Sequence, residues 1–74
     1  MVTLSTEVSD VYFRRLSDLR IDHDLTQQEV ADMLGCKREV YRRYEKGMRM
    51  IPVDYLIVLA DHYGVTVDYI LGRD

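Results

Sequence analysis

The sequence has little cysteine and proline, no tryptophan and no long apolar run, and these shortages exclude several classes of protein. The single cysteine, Cys36, cannot form an internal disulfide, and a zinc site built with His23 and His62 would lack ligands. No apolar stretch reaches the roughly 20 residues that a transmembrane helix needs. We therefore expect no metal, no cofactor and no membrane partner.

The length and composition are those of one small domain. A chain of 74 residues forms a core that is only just large enough to be stable alone. Its 47% apolar and 31% charged residues are typical of a soluble protein, and the first ten residues carry acidic but no basic side chains, unlike a signal peptide. We expect an N-terminal arm over residues 1–10, one domain over residues 11–74, and a cytoplasmic location.

Charge is distributed unevenly along the chain. The net charge of −3 argues against a nucleic-acid partner, because affinity for DNA comes largely from neutralising phosphates. Residues 37–49, however, contain six basic and two acidic side chains, so this segment carries +4 and the remainder carries −7. A basic element in an acidic body favours an oriented polyanion-binding face, and a merely solvated helix is the alternative.

Glycine and proline divide the chain into five predicted helices and no strand. The predicted helices run from residue 9 or 10 to 22, from 27 to 34, from 38 to 46, from 52 to 63 and from 67 to 71. Thr26 and Glu29 form a capping box, Gly35 ends the second helix, Pro52 occupies the first position of the fourth, and Thr66 caps the fifth. Apolar residues at helical spacing predict the core: Phe13, Leu16, Leu19, Val30, Ala31, Leu34, Tyr41, Tyr44, Leu56, Leu59, Ala60 and Tyr63.

The second and third predicted helices are separated by only three residues, which is the spacing of a helix-turn-helix. Ala31 is small where the two helices would cross, and Gly35 permits the positive φ that begins the turn. On the outward side of the third helix, two i,i+4 pairs bring together long hydrogen-bonding side chains: Arg38 with Arg42, and Glu39 with Arg43. Such a face suits the base edges and phosphates of the major groove.

The segment LTQQEVADMLGCKREVYRRYEKG, followed by IP and LADHYGV, resembles the helix-turn-helix of the Cro and phage-repressor (XRE-type) family. The resemblance extends from Phe13 through the terminal VTVDYILGR and covers most of the chain. It implies an all-α, compact five-helix repressor-type domain with a central helix-turn-helix, which binds double-stranded operator DNA as a homodimer.

The resemblance also implies roles for individual residues. Four match positions that face bases: Lys37, Arg38, Glu39 and Arg43. Four match positions that contact phosphates: Gln27, which also buttresses the recognition helix, Arg42, Lys46 and Arg49. Arg20 and Glu45 match a structural ion pair between the first helix and the end of the third.

Three positions depart from the family pattern. Tyr41 replaces an aliphatic residue, which implies either a core widened for the ring or a hydroxyl that reaches the surface. Val40 replaces a small hydroxyl residue and either touches a thymine methyl or is partly buried. Glu39 either accepts a hydrogen bond from a cytosine amino group or pairs with Arg42 or Arg43 and orients them.

Two functions follow from these patterns. The first is a sequence-specific transcription regulator, predicted to be a repressor that reads a palindromic operator. The second is a protein-interaction module, such as an antitoxin or adaptor-like regulator, that binds a regulatory protein partner. We expect no enzyme, because no nucleophile and base pair, metal cluster or phosphate loop can be assembled, and no small-molecule ligand, because no ligand-binding domain is attached.

The dimer contact is predicted to involve the C-terminal region. Tyr55, Val58 and Tyr69 lie off the main apolar stripes of their helices and are expected to be exposed, which favours a subunit interface. The N-terminal arm is the alternative, and it is less favoured because it is short.

Overall fold

The computed structural model describes residues 14–73, which form five helices and no strand. Helix α1 is described over residues 14–22, and it is followed by α2 (Gln27–Leu34), α3 (Arg38–Glu45), α4 (Val53–Tyr63) and α5 (Val67–Ile70). The predicted all-α class and helix order are confirmed. The predicted N-terminal arm, the start of the first helix and Phe13 lie outside the described residues.

Three helix ends differ from the prediction by one residue. Helix α3 ends at Glu45 and α5 ends at Ile70, so that Lys46 and Leu71 are C-caps. Pro52 is the N-cap of α4 and not its first helical residue, because its ψ of 150° is extended.

The ends of α2 follow directly from its sequence. The Thr26 hydroxyl accepts a hydrogen bond from the Glu29 N–H at 3.1 Å, and the Glu29 carboxylate accepts one from the Thr26 N–H at 2.8 Å. This capping box satisfies two backbone donors that the first turn leaves unpaired. At the other end, Gly35 adopts a φ of 77°, a left-handed conformation that side chains disfavour, and turns the chain towards α3.

The core contains side chains from all five helices. Every predicted core residue within the described range is buried, and Ile51 and Ile70 join them. Sequence periodicity did not single out these two isoleucines, since Ile51 precedes α4 and α5 is too short to show a stripe. Through this shared core, the C-terminal helices α4 and α5 pack against the helix-turn-helix.

Two buried tyrosines distinguish this core from an aliphatic one. Tyr41 is completely buried, so the core accommodates the ring and the hydroxyl does not reach the surface. Burial is the main cause of the raised pKa of both Tyr41 and Tyr63, which reaches about 12 for Tyr63, and the charge of the Glu45 carboxylate acts in the same direction. Both phenols consequently stay protonated in the folded protein at pH values where exposed phenols ionise.

The raised pKa values predict a loss of stability in alkali. A phenol whose folded pKa lies above its unfolded value of about 10 contributes fully below that value, and the contribution is lost as pH rises towards the folded pKa. Above pH ~10, the free energy of unfolding should fall by up to about 1.4 kcal/mol per pH unit for each such tyrosine. Urea unfolding at several pH values measures this slope. The double variant Tyr41→Phe/Tyr63→Phe should show a shallower slope, and an equal slope would contradict this explanation.

Candidate nucleic-acid interface

A connection of three residues sets the relation between α2 and α3. Gly35, Cys36 and Lys37 join the helices, and the Cys36 N–H donates to the Ala31 carbonyl at 3.0 Å. Ala31 is completely buried, so the two backbones can approach closely. Cys36 is half-buried against the core, and burial raises the pKa of its thiol, which keeps it protonated and less reactive.

Glu45, at the last position of α3, is held by residues from two other helices. Its carboxylate accepts from Arg20 Nε at 2.7 Å and Arg20 Nη2 at 3.3 Å, and from Gln27 Nε2 at 3.1 Å. We call Arg20, Gln27 and Glu45 the Glu45 network. Since Arg20 lies on α1 and Gln27 begins α2, the network fixes the end of α3 against both helices.

The Glu45 network lies largely out of solvent. The Glu45 side chain is 6% exposed and that of Arg20 is 16% exposed. The hydrogen bond that Arg20 donates to Glu45 raises the pKa of the Arg20 guanidinium, although desolvation opposes it, and Arg20 also donates to the Leu25 carbonyl at 2.9 Å. The charge of Glu45 is thus paired with that of Arg20 away from solvent, so Glu45 adds no exposed negative charge to the surface of α3.

The outward side of α3 and the turn after it are basic. Arg42 and Arg43 are partly exposed beside Glu39, and Val40 is half-buried against the core. With Glu45 turned inward, Glu39 is the one exposed acidic side chain of residues 37–49, whose other exposed charges are all basic: Lys37, Arg38, Lys46 and Arg49. The structure therefore brings the predicted base-facing and phosphate-facing residues of α3 onto one exposed side, whereas Gln27 is directed towards Glu45.

Glu39 pairs with both of the arginines that the sequence analysis considered for it. Glu39 makes its shortest contact with Arg42 at i,i+3, where the Glu39 Oε2 to Arg42 Nη2 distance is 2.8 Å. Its i,i+4 contact with Arg43 Nε is longer, at 3.7 Å. The hydrogen bond and charge of Arg42, with the charge of Arg43, lower the pKa of the Glu39 carboxyl. Glu39 therefore stays ionised between two guanidinium groups.

The three dimer candidates occupy different environments. Val58 is exposed, as expected. Tyr69 is 36% exposed, but the Arg15 guanidinium lies 4.3 Å from its ring centroid and donates to its carbonyl at 2.7 Å. The expectation that Tyr55 is exposed is wrong: it is half-buried and meets the Tyr44 ring edge-on at 6.1 Å.

A second group of apolar side chains is exposed, and sequence reasoning missed its two members on α4. Met50, Val53 and Ile57 are 73%, 66% and 49% exposed, and Val53 and Ile57 lie one turn apart on α4. Their i,i+4 spacing outside the core stripe of α4 was the available signal.

No helix in the described part of the chain is both long and apolar enough to cross a membrane. Within residues 14–73, no group of three potential metal ligands is assembled.

Known proteins resemble this chain over most of the residues that the structure describes. The family model described as "Helix-turn-helix" matches residues 16–70. An uncharacterised helix-turn-helix-type transcriptional regulator of Bacillus subtilis, YobD, is 42% identical over 62 residues, which cover 84% of this chain and 55% of that protein. The cryptic phage CTXphi transcriptional repressor RstR of Vibrio cholerae is 35% identical over 57 residues, covering 77% of this chain and 51% of RstR.

A third relative carries a different kind of name. The antitoxin PezA of Streptococcus pneumoniae is 31% identical over 61 residues, covering 82% of this chain and 39% of that protein. The chain spans about half the length or less of these three relatives. No solved structure matches the chain significantly.

The Glu45 network predicts a large difference between two glutamates of the same helix. Glu45→Ala would leave Arg20 and Gln27 without their shared acceptor and should lower the free energy of unfolding by about 2 kcal/mol. The loss is not larger because Arg20 keeps its hydrogen bond to the Leu25 carbonyl and remains partly accessible to solvent. Glu39→Ala removes an exposed pair and should leave stability nearly unchanged. Urea unfolding of both variants measures the difference. Equal losses would show that the Glu45 network does not stabilise the fold.

Proposed function

The chain belongs to the helix-turn-helix family of the Cro/C1 (XRE) type, and we propose that it regulates transcription by placing α3 in the major groove of an operator. The observation that carries this proposal is the charge of residues 37–49, where six basic side chains are exposed or partly exposed and only one carboxylate is exposed. Phosphate neutralisation by such a face supplies affinity, and its position on a rigidly held helix supplies orientation.

Individual roles follow from position on α3. Arg43 lies in the last turn, on the same outward side as Glu39, and is assigned a base edge; Arg38 and Lys37 at the start of α3 are assigned the same role. Lys46 and Arg49 lie in the turn after α3 and are assigned phosphates, as are Arg42 and Gln27.

Repression is the proposed mode of regulation. Occupation of an operator by a small domain blocks other proteins from the same DNA without any chemical step, so we assign the chain no enzymatic activity. We also assign it a cytoplasmic place of action, where bacterial operator DNA lies. The similarity to RstR, named a repressor, supports this mode.

We further propose that two copies bind a palindromic site. One α3 of 8 residues reads only a few base pairs, whereas two copies related by a twofold axis would present their α3 helices about 34 Å apart, one turn of DNA. The exposed side chain of Val58 and the exposed part of Tyr69 support a contact through the C-terminal region.

A second function, binding of a protein partner, is supported by a separate observation. Met50, Val53 and Ile57 are exposed apolar side chains, the latter two one turn apart on α4, and the relative PezA is named an antitoxin. Titration with labelled duplex DNA at two salt concentrations distinguishes the two functions, because phosphate binding has a steep salt dependence and apolar protein pairing does not.

The DNA-binding proposal predicts two different phenotypes from two basic residues. With a duplex selected from random DNA, Arg43→Ala should weaken binding by about 1 to 3 kcal/mol and relax the choice of base at one position. Lys46→Ala should weaken binding to every sequence alike and reduce the salt slope by about one unit. Equal losses on selected and random DNA for Arg43→Ala, or an unchanged slope for Lys46→Ala, would refute the respective assignment.

The symmetric arrangement predicts a dependence on the spacing of half-sites. Sedimentation with a duplex that carries both half-sites should show two protomers bound, with higher affinity than on a duplex whose half-sites are moved apart by half a turn, because the second duplex places the sites on opposite faces. Equal uptake of two protomers by both duplexes would exclude the symmetric dimer.

A further inference from the structure

Glu39 places a negative charge in the middle of the basic face, on the side that the proposed function turns towards DNA. Its side chain is 51% exposed, and it lies in the first turn of α3. Neither burial nor helix capping accounts for it: Lys37, the N-cap, has no side-chain hydrogen bond, and the contacts of the Glu39 carboxylate are with arginines.

The contact with Arg42 uses two donors of one guanidinium. Arg42 Nη2 donates to Glu39 Oε2 at 2.8 Å, and Arg42 Nε donates to Glu39 Oε1 at 3.4 Å. This is the paired arrangement with which a guanidinium also binds a phosphate. While Arg42 holds Glu39 in this way, it cannot offer the same two donors to DNA.

The contact with Arg43 is of a different kind. At 3.7 Å between Arg43 Nε and Glu39 Oε2, the carboxylate attracts the guanidinium without a hydrogen bond. Arg43 is thereby drawn along the helix face towards Glu39, and its terminal nitrogens stay available to a base edge. One carboxylate therefore engages the donors of a phosphate-facing arginine and orients a base-facing one.

We propose that Glu39 is a specificity-determining residue, which discriminates operator from random DNA by pairing with Arg42 and orienting Arg43 and not by contacting a base. This inference rests on the DNA-binding function proposed above. Binding to random DNA depends almost entirely on phosphate neutralisation, so the carboxylate weakens it in full. Binding to the operator also uses the Arg43 contact, which the same carboxylate orients, so operator binding is weakened less.

The test compares Glu39→Gln with the parent on a selected duplex and on a random duplex over a range of salt concentrations. Glu39→Gln keeps the shape and removes the charge. We expect its affinity for random DNA to rise by about three- to tenfold at low salt, with a salt slope steeper by about one unit, since Arg42 is released to a phosphate. Affinity for the selected duplex should change less, and the preferred sequence should not change.

Two further variants show whether the effect passes through Arg42. Asp61→Asn makes the same change in charge on the exposed surface of α4, and it should leave the ratio of the two affinities unaltered. In an Arg42→Gln background, Glu39→Gln should no longer steepen the slope, because the released group is absent. Circular dichroism of each variant checks that the helices are intact.

Three outcomes would overturn the inference. A changed base preference in Glu39→Gln, with weaker operator binding, would make Glu39 a base-contacting residue. Unchanged random-DNA affinity and slope in Glu39→Gln, while the parent binds with a steep salt dependence, would refute the role of Glu39 alone. Failure of the parent to bind either duplex would refute the DNA-binding function and the inference with it.

Discussion

The carboxylate of Glu45, which lies largely out of solvent, makes the contacts that join the first three helices. It ends α3, and it accepts hydrogen bonds from Arg20 on α1 and from Gln27 at the start of α2. A carboxylate with 6% exposure needs such partners, because a buried charge without them is strongly destabilising. One interaction thus fixes the position of α3 and removes a negative charge from its outward face.

The two carboxylates of α3 therefore lie in different environments. Glu45 is turned inward and contributes to architecture, whereas Glu39 is exposed and pairs with Arg42 on the surface. A surface pair contributes little to stability because water and salt screen it, so Glu39 is free to serve recognition. The remainder of the chain carries a net charge of −7 against +4 for residues 37–49, so the charge of the molecule is asymmetric.

Much of the fold was predictable because its signals are local. The Thr26 capping box, the left-handed Gly35 and the helical spacing of the core residues each depend on neighbours within one or two turns. The burial of Tyr55 was not predictable, because it depends on Tyr44 from another helix. The preference of Glu39 for Arg42 over Arg43 depends on side-chain rotamers, which spacing alone does not determine.

We propose that α3 and the turn after it form the surface that contacts DNA, and an NMR titration would test this contact. Backbone amide shifts of the uniformly ¹⁵N-labelled protein would be followed while a selected duplex is added at moderate salt. We expect the largest changes at Gln27, through residues 37–46 and at Arg49, with α1 changing little. Largest changes along the exposed side of α4, around Val53 and Ile57, with residues 37–46 unaffected, would contradict it.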